Sequence, residues 1–88
     1  METSREFLKY ELTKLKEYFP LINLRYQFDK NDKTHIIEIM PLEYFEKNES
    51  YIEKEADLSY RFEQIFQNES IMFVSGNSLT KINNPEEL

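Results

Sequence analysis

Between positions 21 and 40 the hydrophobic and polar residues alternate, as they do in a β-hairpin that is covered on one side. If Phe28 lies opposite Lys33 across the turn of residues 29–32, the two faces of the hairpin differ in polarity. One face pairs Tyr26 with His35, Leu24 with Ile37, and Ile22 with Ile39. The other pairs Gln27 with Thr34, Arg25 with Ile36, and Asn23 with Glu38. The first face is largely apolar and needs a cover, whereas the second is mostly polar.

A helix is predicted before this hairpin. Thr3 and Glu6 fit the S/T-x-x-E capping box, in which each side chain accepts a hydrogen bond from the backbone of the other residue. Pro20 ends the helix, because proline lacks the N–H that a helix interior requires. At 100° per residue, one side of the helix collects apolar side chains: Phe7, Leu8, Leu12, Leu15, Tyr18 and Phe19. Tyr10 lies on the other side, where we expect it to be exposed.

A second helical region follows the hairpin. Pro41 starts a short turn or a helical hook, where it would suit the first helical position. We expect Tyr44 and Phe45 in this hook to be exposed. Ser50 and Glu53 then repeat the capping box and predict a long helix over about residues 51–67. The buried side of this helix takes Tyr51, Ile52, Leu58, Ser59, Phe62, Ile65 and Phe66. Four other side chains point away from the core: Glu53, Asp57, Tyr60 and Gln64.

Residues 70–75 form a nearly continuous apolar run of strand length, and Gly76-Asn77 suits a tight turn into a second arm at 78–82, pairing Val74 with Leu79. The predicted fold is therefore α+β, with the order α-β-β-α-β. A small antiparallel or mixed sheet of three to four strands has two helices packed on one face. Residues 1–82 form a single α+β domain, and residues 83–88 form a loose C-terminal tail.

Composition narrows the class of protein. The chain has 88 residues, of which 40% are hydrophobic, and this is enough for one modest core. Without cysteine it has neither disulfides nor thiolate metal sites. No stretch approaches the roughly 20 apolar residues of a membrane helix, and no signal-peptide pattern is evident. We expect a cytoplasmic protein that does not interact with membranes.

The net charge of -6 is unevenly distributed. Residues 1–41 contain seven acidic and seven basic side chains, so this half of the chain is neutral. Residues 42–69 contain eight acidic side chains and three basic ones, a balance of -5. Such a helical region repels phosphate backbones and attracts basic partners, and it also serves as a solvated surface that keeps a small protein soluble.

The sequence offers little for catalysis. It has one histidine, no cysteine nucleophile and a single glycine, so it cannot contain a glycine-rich phosphate-binding loop. The turn at 29–33 lacks the glycine and terminal glutamate of an EF-hand and is explained by turn-forming residues. We therefore predict no enzymatic activity, no catalytic residues, no cofactor and no metal.

The order of elements becomes α-β-β-α-α-β if the hook at 42–47 is a helix, and this order resembles the type II KH arrangement of RNA-binding domains. A KH domain holds the nucleic-acid backbone with a G-x-x-G loop. The corresponding residues here, Glu46-Lys47-Asn48-Glu49, contain no glycine and are acidic. We therefore predict no direct binding of nucleic acid.

One carboxylate interrupts the apolar side of the second helix. Glu55 falls between the projections of Tyr51, Ser59 and Phe62, and a buried carboxylate without a partner is costly. Either it reaches water through its flexible stem, or it meets a donor from the hairpin. Of the two candidates, His35 and Arg25, only His35 lies on the apolar face. The second possibility predicts a small ligand-binding or enzymatic subunit that uses a Glu55/His35 cleft.

The preferred interpretation is a small acidic, non-enzymatic interaction or regulatory module of the inhibitor, immunity-like or adaptor type. It binds a basic protein partner through the second long helix, with a few aromatic anchors. The predicted interaction residues are Tyr44, Phe45, Glu53, Asp57, Tyr60 and Gln64. Because the strand at 71–74 presents an edge and Ile36 and Met40 lie on the polar face of the hairpin, a symmetric homodimer is a further hypothesis.

Overall fold

A computed structural model of the chain describes residues 3–75, 82 and 85–86. Its elements are α1 (Ser4–Tyr18), β1 (Asn23–Asp29), β2 (Thr34–Met40), α2 (Leu42–Lys47), α3 (Glu49–Ile65) and β3 (Ser70–Ser75). The described strands form one sheet in the order β1-β2-β3, with β1 antiparallel and β3 parallel to β2. The predicted α+β class and element order are confirmed, and the sheet is mixed.

The start of α1 is the capping box predicted from the sequence. The Thr3 side chain accepts a hydrogen bond from the Glu6 amide at 3.1 Å, and the Glu6 carboxylate accepts one from the Thr3 amide at 3.1 Å. At the other end, Lys16 donates to the Pro20 carbonyl at 3.0 Å and also to the Ile22 carbonyl. These contacts fix the direction in which the chain leaves the helix and enters β1.

The start of α3 differs from the prediction. Its N-cap is Asn48, whose side-chain oxygen accepts a hydrogen bond from the Tyr51 amide at 3.0 Å, so the helix begins before Ser50. Asparagine is as good an N-cap as serine, and the predicted start at the Ser50 capping box was therefore wrong. The predicted helical hook is confirmed as α2, with Pro41 at its N-cap position.

The hairpin register is shifted by two residues from the predicted one. Phe28 lies opposite His35, and Asp29 lies opposite Thr34, so the connecting turn is residues 30–33. Asp29 closes this turn by accepting hydrogen bonds from the amides of Asn31 (2.9 Å) and Asp32 (3.3 Å). A shift of two residues leaves every side chain on its predicted face, because side chains alternate along a strand.

The floor of the core lies on the predicted face of the hairpin. Ile22, Ile37 and Ile39 have no exposed surface, and Leu24 packs against the same cluster. Both long helices contribute their apolar sides to this cluster, which also contains Phe7, Leu8, Leu12, Leu15, Phe19, Tyr26, Tyr51, Leu58 and Phe62. The prediction that two helices cover one face of the sheet is confirmed.

Three side chains predicted to be buried are exposed. Tyr18 is 63% exposed, Ile65 is 58% exposed and Ile52 is 40% exposed. Tyr18 and Ile65 are the last residues of α1 and α3, and Ile52 lies in the first turn of α3. Helical periodicity identifies the side of a helix that faces the core, but it does not reveal how far along the helix the core extends.

The second face of the sheet has a small apolar cluster of its own. Ile36 and Val74 are buried there together with Ile82, and Met40 is 46% exposed. Beside this cluster, Arg25 forms a two-pronged ion pair with the buried Glu38, at 2.7 and 3.1 Å. Most of the predicted second arm at 78–82 and most of the predicted tail at 83–88 lie outside the described residues.

Candidate functional site

The solvent-facing side of α3 is a continuous acidic surface. We call it the acidic stripe and define it by six exposed residues: Glu49, Glu53, Asp57, Tyr60, Glu63 and Gln64. It lies opposite the buried residues of the same helix, because these positions differ from the buried ones by about half a turn. Four of the predicted interaction residues, Glu53, Asp57, Tyr60 and Gln64, therefore share one exposed surface.

The two cations of α3 lie on its flank and face α1. The Lys54 ammonium sits 4.0 Å from the centre of the Tyr18 ring. Arg61 donates to Glu11 of α1 and to Asp57, each at 2.8 Å. The hydrogen bond to Glu11 has the largest effect on the pKa of Arg61 and raises it. Burial lowers this pKa, but the effect is smaller. The positive charges of α3 thus hold the two helices together and leave the acidic stripe with carboxylates.

Asp57 is the exception within the stripe. Its carboxylate is 63% exposed but accepts the hydrogen bond from Arg61, so its charge is partly compensated. Tyr60 is 66% exposed and is the large ring at the centre of the stripe. Within the described residues, Glu49, Glu53 and Glu63 have no ion-pair partner, and they lie around one exposed aromatic side chain. Aromatic residues are enriched in protein interfaces, whose rim is polar.

Tyr44 in the hook is less exposed than the sequence predicts. Tyr44 is half-buried, and its ring packs edge-on against Phe19 at 5.9 Å and Tyr51 at 6.4 Å between ring centres. The expectation of a freely exposed Tyr44 is therefore wrong, because the ring closes the end of the core. The side chain of Phe45 lies outside the described part of the structure.

A second candidate site surrounds the histidine. We define the His35 cluster as Ser4, Tyr26, His35 and Glu69. His35 is only 2% exposed; its Nδ1 lies 2.6 Å from the Tyr26 hydroxyl, and its Nε2 lies 2.5 Å from Glu69 Oε1. The same Glu69 oxygen accepts a hydrogen bond from the Ser4 hydroxyl at 2.9 Å. The cluster joins α1, both hairpin strands and the residue before β3.

The partners assign the tautomer of His35. An ionised carboxylate only accepts hydrogen bonds, so the proton that faces Glu69 belongs to Nε2. In the neutral ring Nδ1 is then an acceptor, and the Tyr26 hydroxyl donates to it. Burial raises the pKa of Tyr26 to about 12, which keeps its proton available for this hydrogen bond.

The charge of Glu69 is stabilised inside the cluster. Burial on its own raises the pKa of a carboxyl group, but hydrogen bonds from His35 and Ser4 outweigh it here, and the pKa of Glu69 is below its usual value. A cavity of about 440 Å³ adjoins the cluster. Its lining includes Arg5, Lys30 and Lys33, besides members of the cluster.

The structure pairs His35 with Glu69 rather than with Glu55. Glu55 lies on α3 beside Tyr51, and burial raises its pKa, an effect that the nearby Tyr51 hydroxyl offsets only in part. One oxygen of Glu55 and the Tyr51 hydroxyl oxygen are buried, and neither has a hydrogen-bond partner within the described residues. The predicted Glu55/His35 cleft is therefore replaced by two separate polar sites.

Glu69 and Ser4 were not among the predicted site residues, because their contact joins positions 65 residues apart. Parallel pairing of β3 with β2 would have predicted a position near His35 for Glu69. It places Ser70 beside Thr34, so Glu69 lies next to the start of β2, where His35 is located. Antiparallel pairing was equally allowed by the sequence, and this signal could not be used.

No helix among the described residues is long and apolar enough to cross a membrane. In the same residues, no three histidine, aspartate or glutamate side chains are grouped so that they could hold a metal ion. Comparison with known proteins finds no matching family model, no similar curated protein and no matching solved structure.

Proposed function

We propose that the protein is a small non-enzymatic interaction module, of the inhibitor, immunity-like or adaptor type, that binds a basic protein partner through the acidic stripe. One observation carries the proposal. Both cations of α3 contact neighbouring side chains on its α1 flank, and the exposed side of the helix keeps its glutamates around Tyr60.

This segregation of charge supports fast recognition of a cationic surface. Exposed charges interact over about 8 Å at physiological ionic strength, so Glu49, Glu53 and Glu63 act on a partner before contact is made. Such fields raise association rates and suppress like-charged partners. They add less to final affinity, because exposed ion pairs are worth little individually.

Tyr60 and Gln64 would supply the short-range contacts. A tyrosine ring buries a large apolar area at a low cost in side-chain entropy, and its hydroxyl remains available for a hydrogen bond. Tyr60 is surrounded by polar groups that would form the rim of an interface. The predicted contributions of Tyr44 and Phe45 stay predictions, and the partial burial of Tyr44 makes it the weaker anchor of the two tyrosines.

The test is quantitative affinity capture from the native host with wild-type protein and two charge-reversed variants. Glu53→Lys/Glu63→Lys reverses two charges of the stripe, and Glu17→Lys/Asp32→Lys makes the same net change on exposed residues outside α3. A partner of the stripe should be lost from the first variant and retained by the second.

Tyr60→Ala should also release that partner. Its free energy of unfolding should stay within about 0.5 kcal/mol of wild type, as for ordinary surface substitutions. If the stripe variants capture the same proteins in the same amounts as wild type, the acidic stripe is only a solubilising surface. Loss of a partner that accompanies unfolding of the variant would count against the proposal as well.

The alternative function, a small ligand-binding or enzymatic subunit, now depends on the His35 cluster and its adjoining cavity. Both ring nitrogens of His35 are engaged, so a role as general base would require one of these contacts to open. An NMR titration of His35 separates the two functions. Ligand-dependent shifts of the ring signals support the alternative, and an imidazole unaffected by added metabolites supports the interaction module.

The homodimer and the cytoplasmic location also stay proposals. Two observations support the homodimer: among the described strands β3 lies at the edge of the sheet, and the side chains of Met40 and Met72 are 46% and 43% exposed. Light scattering at micromolar concentration measures the mass in solution. Edge pairing predicts the mass of two chains, and the mass of one chain excludes a dimer.

A further inference from the structure

The outer edge of β1 is occupied by a residue of the same chain. Glu86 donates its amide hydrogen to the Tyr26 carbonyl at 2.7 Å, and its carboxylate accepts a hydrogen bond from the Phe28 amide at 2.7 Å. Arg5 of α1 holds the second carboxylate oxygen at 3.0 Å. The pKa of Glu86 is below its usual value, chiefly because of the hydrogen bond from Phe28. One acidic residue thus satisfies one donor and one acceptor of an edge strand.

A groove runs between α1 and β1 from this contact. It has a volume of about 410 Å³, and its floor includes the apolar Leu12 and Leu24. Three cations line it, Lys9, Lys16 and Arg25, but Lys16 donates to the Pro20 and Ile22 carbonyls and Arg25 is paired with Glu38. The preference for a carboxylate therefore comes from Arg5 and the Phe28 amide, which hold Glu86.

We propose that the β1 edge is a docking site for an extended acidic peptide of a partner protein, and that Glu86 is its intramolecular occupant. The contacts made by Glu86 indicate which kind of peptide would bind here. A strand laid along an exposed edge gains main-chain hydrogen bonds, here from Tyr26 and Phe28, and side-chain pockets supply the specificity. Arg5 and the Phe28 amide select a carboxylate, since both are donors that converge on the same side chain.

Glu86 then acts as an intramolecular inhibitor of this site. A tethered segment competes at an effective concentration that is of the order of millimolar for short linkers, so a free peptide must exceed this to bind the intact chain. Any change that weakens Glu86 should open the edge. This site is independent of the proposed function, because it lies on α1 and β1 and takes a partner of the opposite charge.

The test uses a synthetic peptide with the sequence of residues 82–88, Ile-Asn-Asn-Pro-Glu-Glu-Leu, titrated into the ¹⁵N-labelled full chain. Wild type, Glu86→Ala and Arg5→Ala/Glu86→Ala are compared by their amide chemical shifts. Glu86→Ala combined with Lys14→Ala is the matched control, because Lys14 is an exposed cation of α1 that does not line the groove. A second peptide with glutamine in place of both glutamates tests the requirement for charge.

Glu86→Ala should bind the acidic peptide at least about fivefold more tightly than wild type, with the largest shifts at Tyr26 and Phe28. Arg5→Ala/Glu86→Ala and the glutamine peptide should each lose this gain, and the Lys14 control should keep it. Equal affinity of wild type and Glu86→Ala, no binding to any variant, or shifts centred on α3 would overturn the proposal. Thermal unfolding of each variant confirms that the comparison is made between folded proteins.

Discussion

Replacing Glu69 by alanine is the most informative perturbation of the His35 cluster. The change removes the acceptor of the His35 Nε2 proton and of the Ser4 hydroxyl. An unsatisfied buried donor costs about 1–3 kcal/mol. His35 is 2% exposed, but the Glu69 side chain is 28% exposed beside a cavity, so water can replace part of the lost contact. We therefore expect the free energy of unfolding to fall by about 1–2 kcal/mol.

This loss is large relative to the whole stability of the domain. At about 0.05–0.15 kcal/mol per residue, an 88-residue chain has a free energy of unfolding of about 4–13 kcal/mol. For a domain of this size a loss of 1–2 kcal/mol lowers Tm by about 4–16 °C. Urea and thermal denaturation at pH 7 measure it. Glu63→Ala, an exposed carboxylate of α3, is the matched control and should stay within about 0.5 kcal/mol of wild type.

The pH dependence gives the prediction a second readout. The pKa of Glu69 in the folded protein is below its ordinary value of 4.5, so its ionised form stabilises the fold. This contribution is complete above pH 4.5 and is lost as the pH falls through the lower folded pKa. The difference in stability between wild type and Glu69→Gln should therefore shrink as the pH falls below 4.5. Glu6 and Glu86, whose pKa values are also lowered, are present in both proteins and cancel.

Two results would refute this reasoning. If Glu69→Ala costs no more than Glu63→Ala, the contact with His35 does not stabilise the folded chain. If the difference between wild type and Glu69→Gln is independent of pH down to pH 3, the carboxylate of Glu69 is not held in its ionised form by its neighbours.

Further predictions concern the core and the sheet. Glu55→Gln should raise the free energy of unfolding at pH 7 by about 0.5–1 kcal/mol, less than for a fully buried group because Glu55 is partly exposed. The gain should disappear towards pH 4, where the carboxyl group is protonated in both states. A loss of stability at pH 7 would contradict the raised pKa. A double-mutant cycle of Arg25→Ala and Glu38→Ala should give a stabilising coupling energy, and additivity would count against the observed register. Phe62→Ala should cost about 3–5 kcal/mol in chemical denaturation, and Phe62→Leu clearly less, because Phe62 has no exposed surface; equal losses would contradict its central place.

Local signals in the sequence predicted most of the fold. The Thr3/Glu6 capping box places the start of α1 correctly, and the alternation at 21–40 assigns each hairpin side chain to its face. The register could not be derived from this alternation, since a shift of two residues preserves both faces. The observed register brings Arg25 opposite Glu38, and this opposite-charge pair is a feature that hydrophobic periodicity ignores.

The candidate sites were predictable to different degrees. Glu53, Asp57, Tyr60 and Gln64 are exposed as the helical projection requires, because exposure on a long helix follows from periodicity alone. The His35 cluster could not be derived in this way. It depends on contacts between distant parts of the chain and on the parallel placement of β3, which the sequence left undecided.

The most direct test of the acidic stripe is an amide chemical-shift map of the ¹⁵N-labelled chain bound to the partner recovered by affinity capture. We expect the largest shifts at the residues of the stripe, centred on Tyr60, and a weaker response as salt concentration rises. Shifts confined to β1, to the His35 cluster or to the edge of β3, with the stripe unchanged, would contradict recognition of a basic partner through α3.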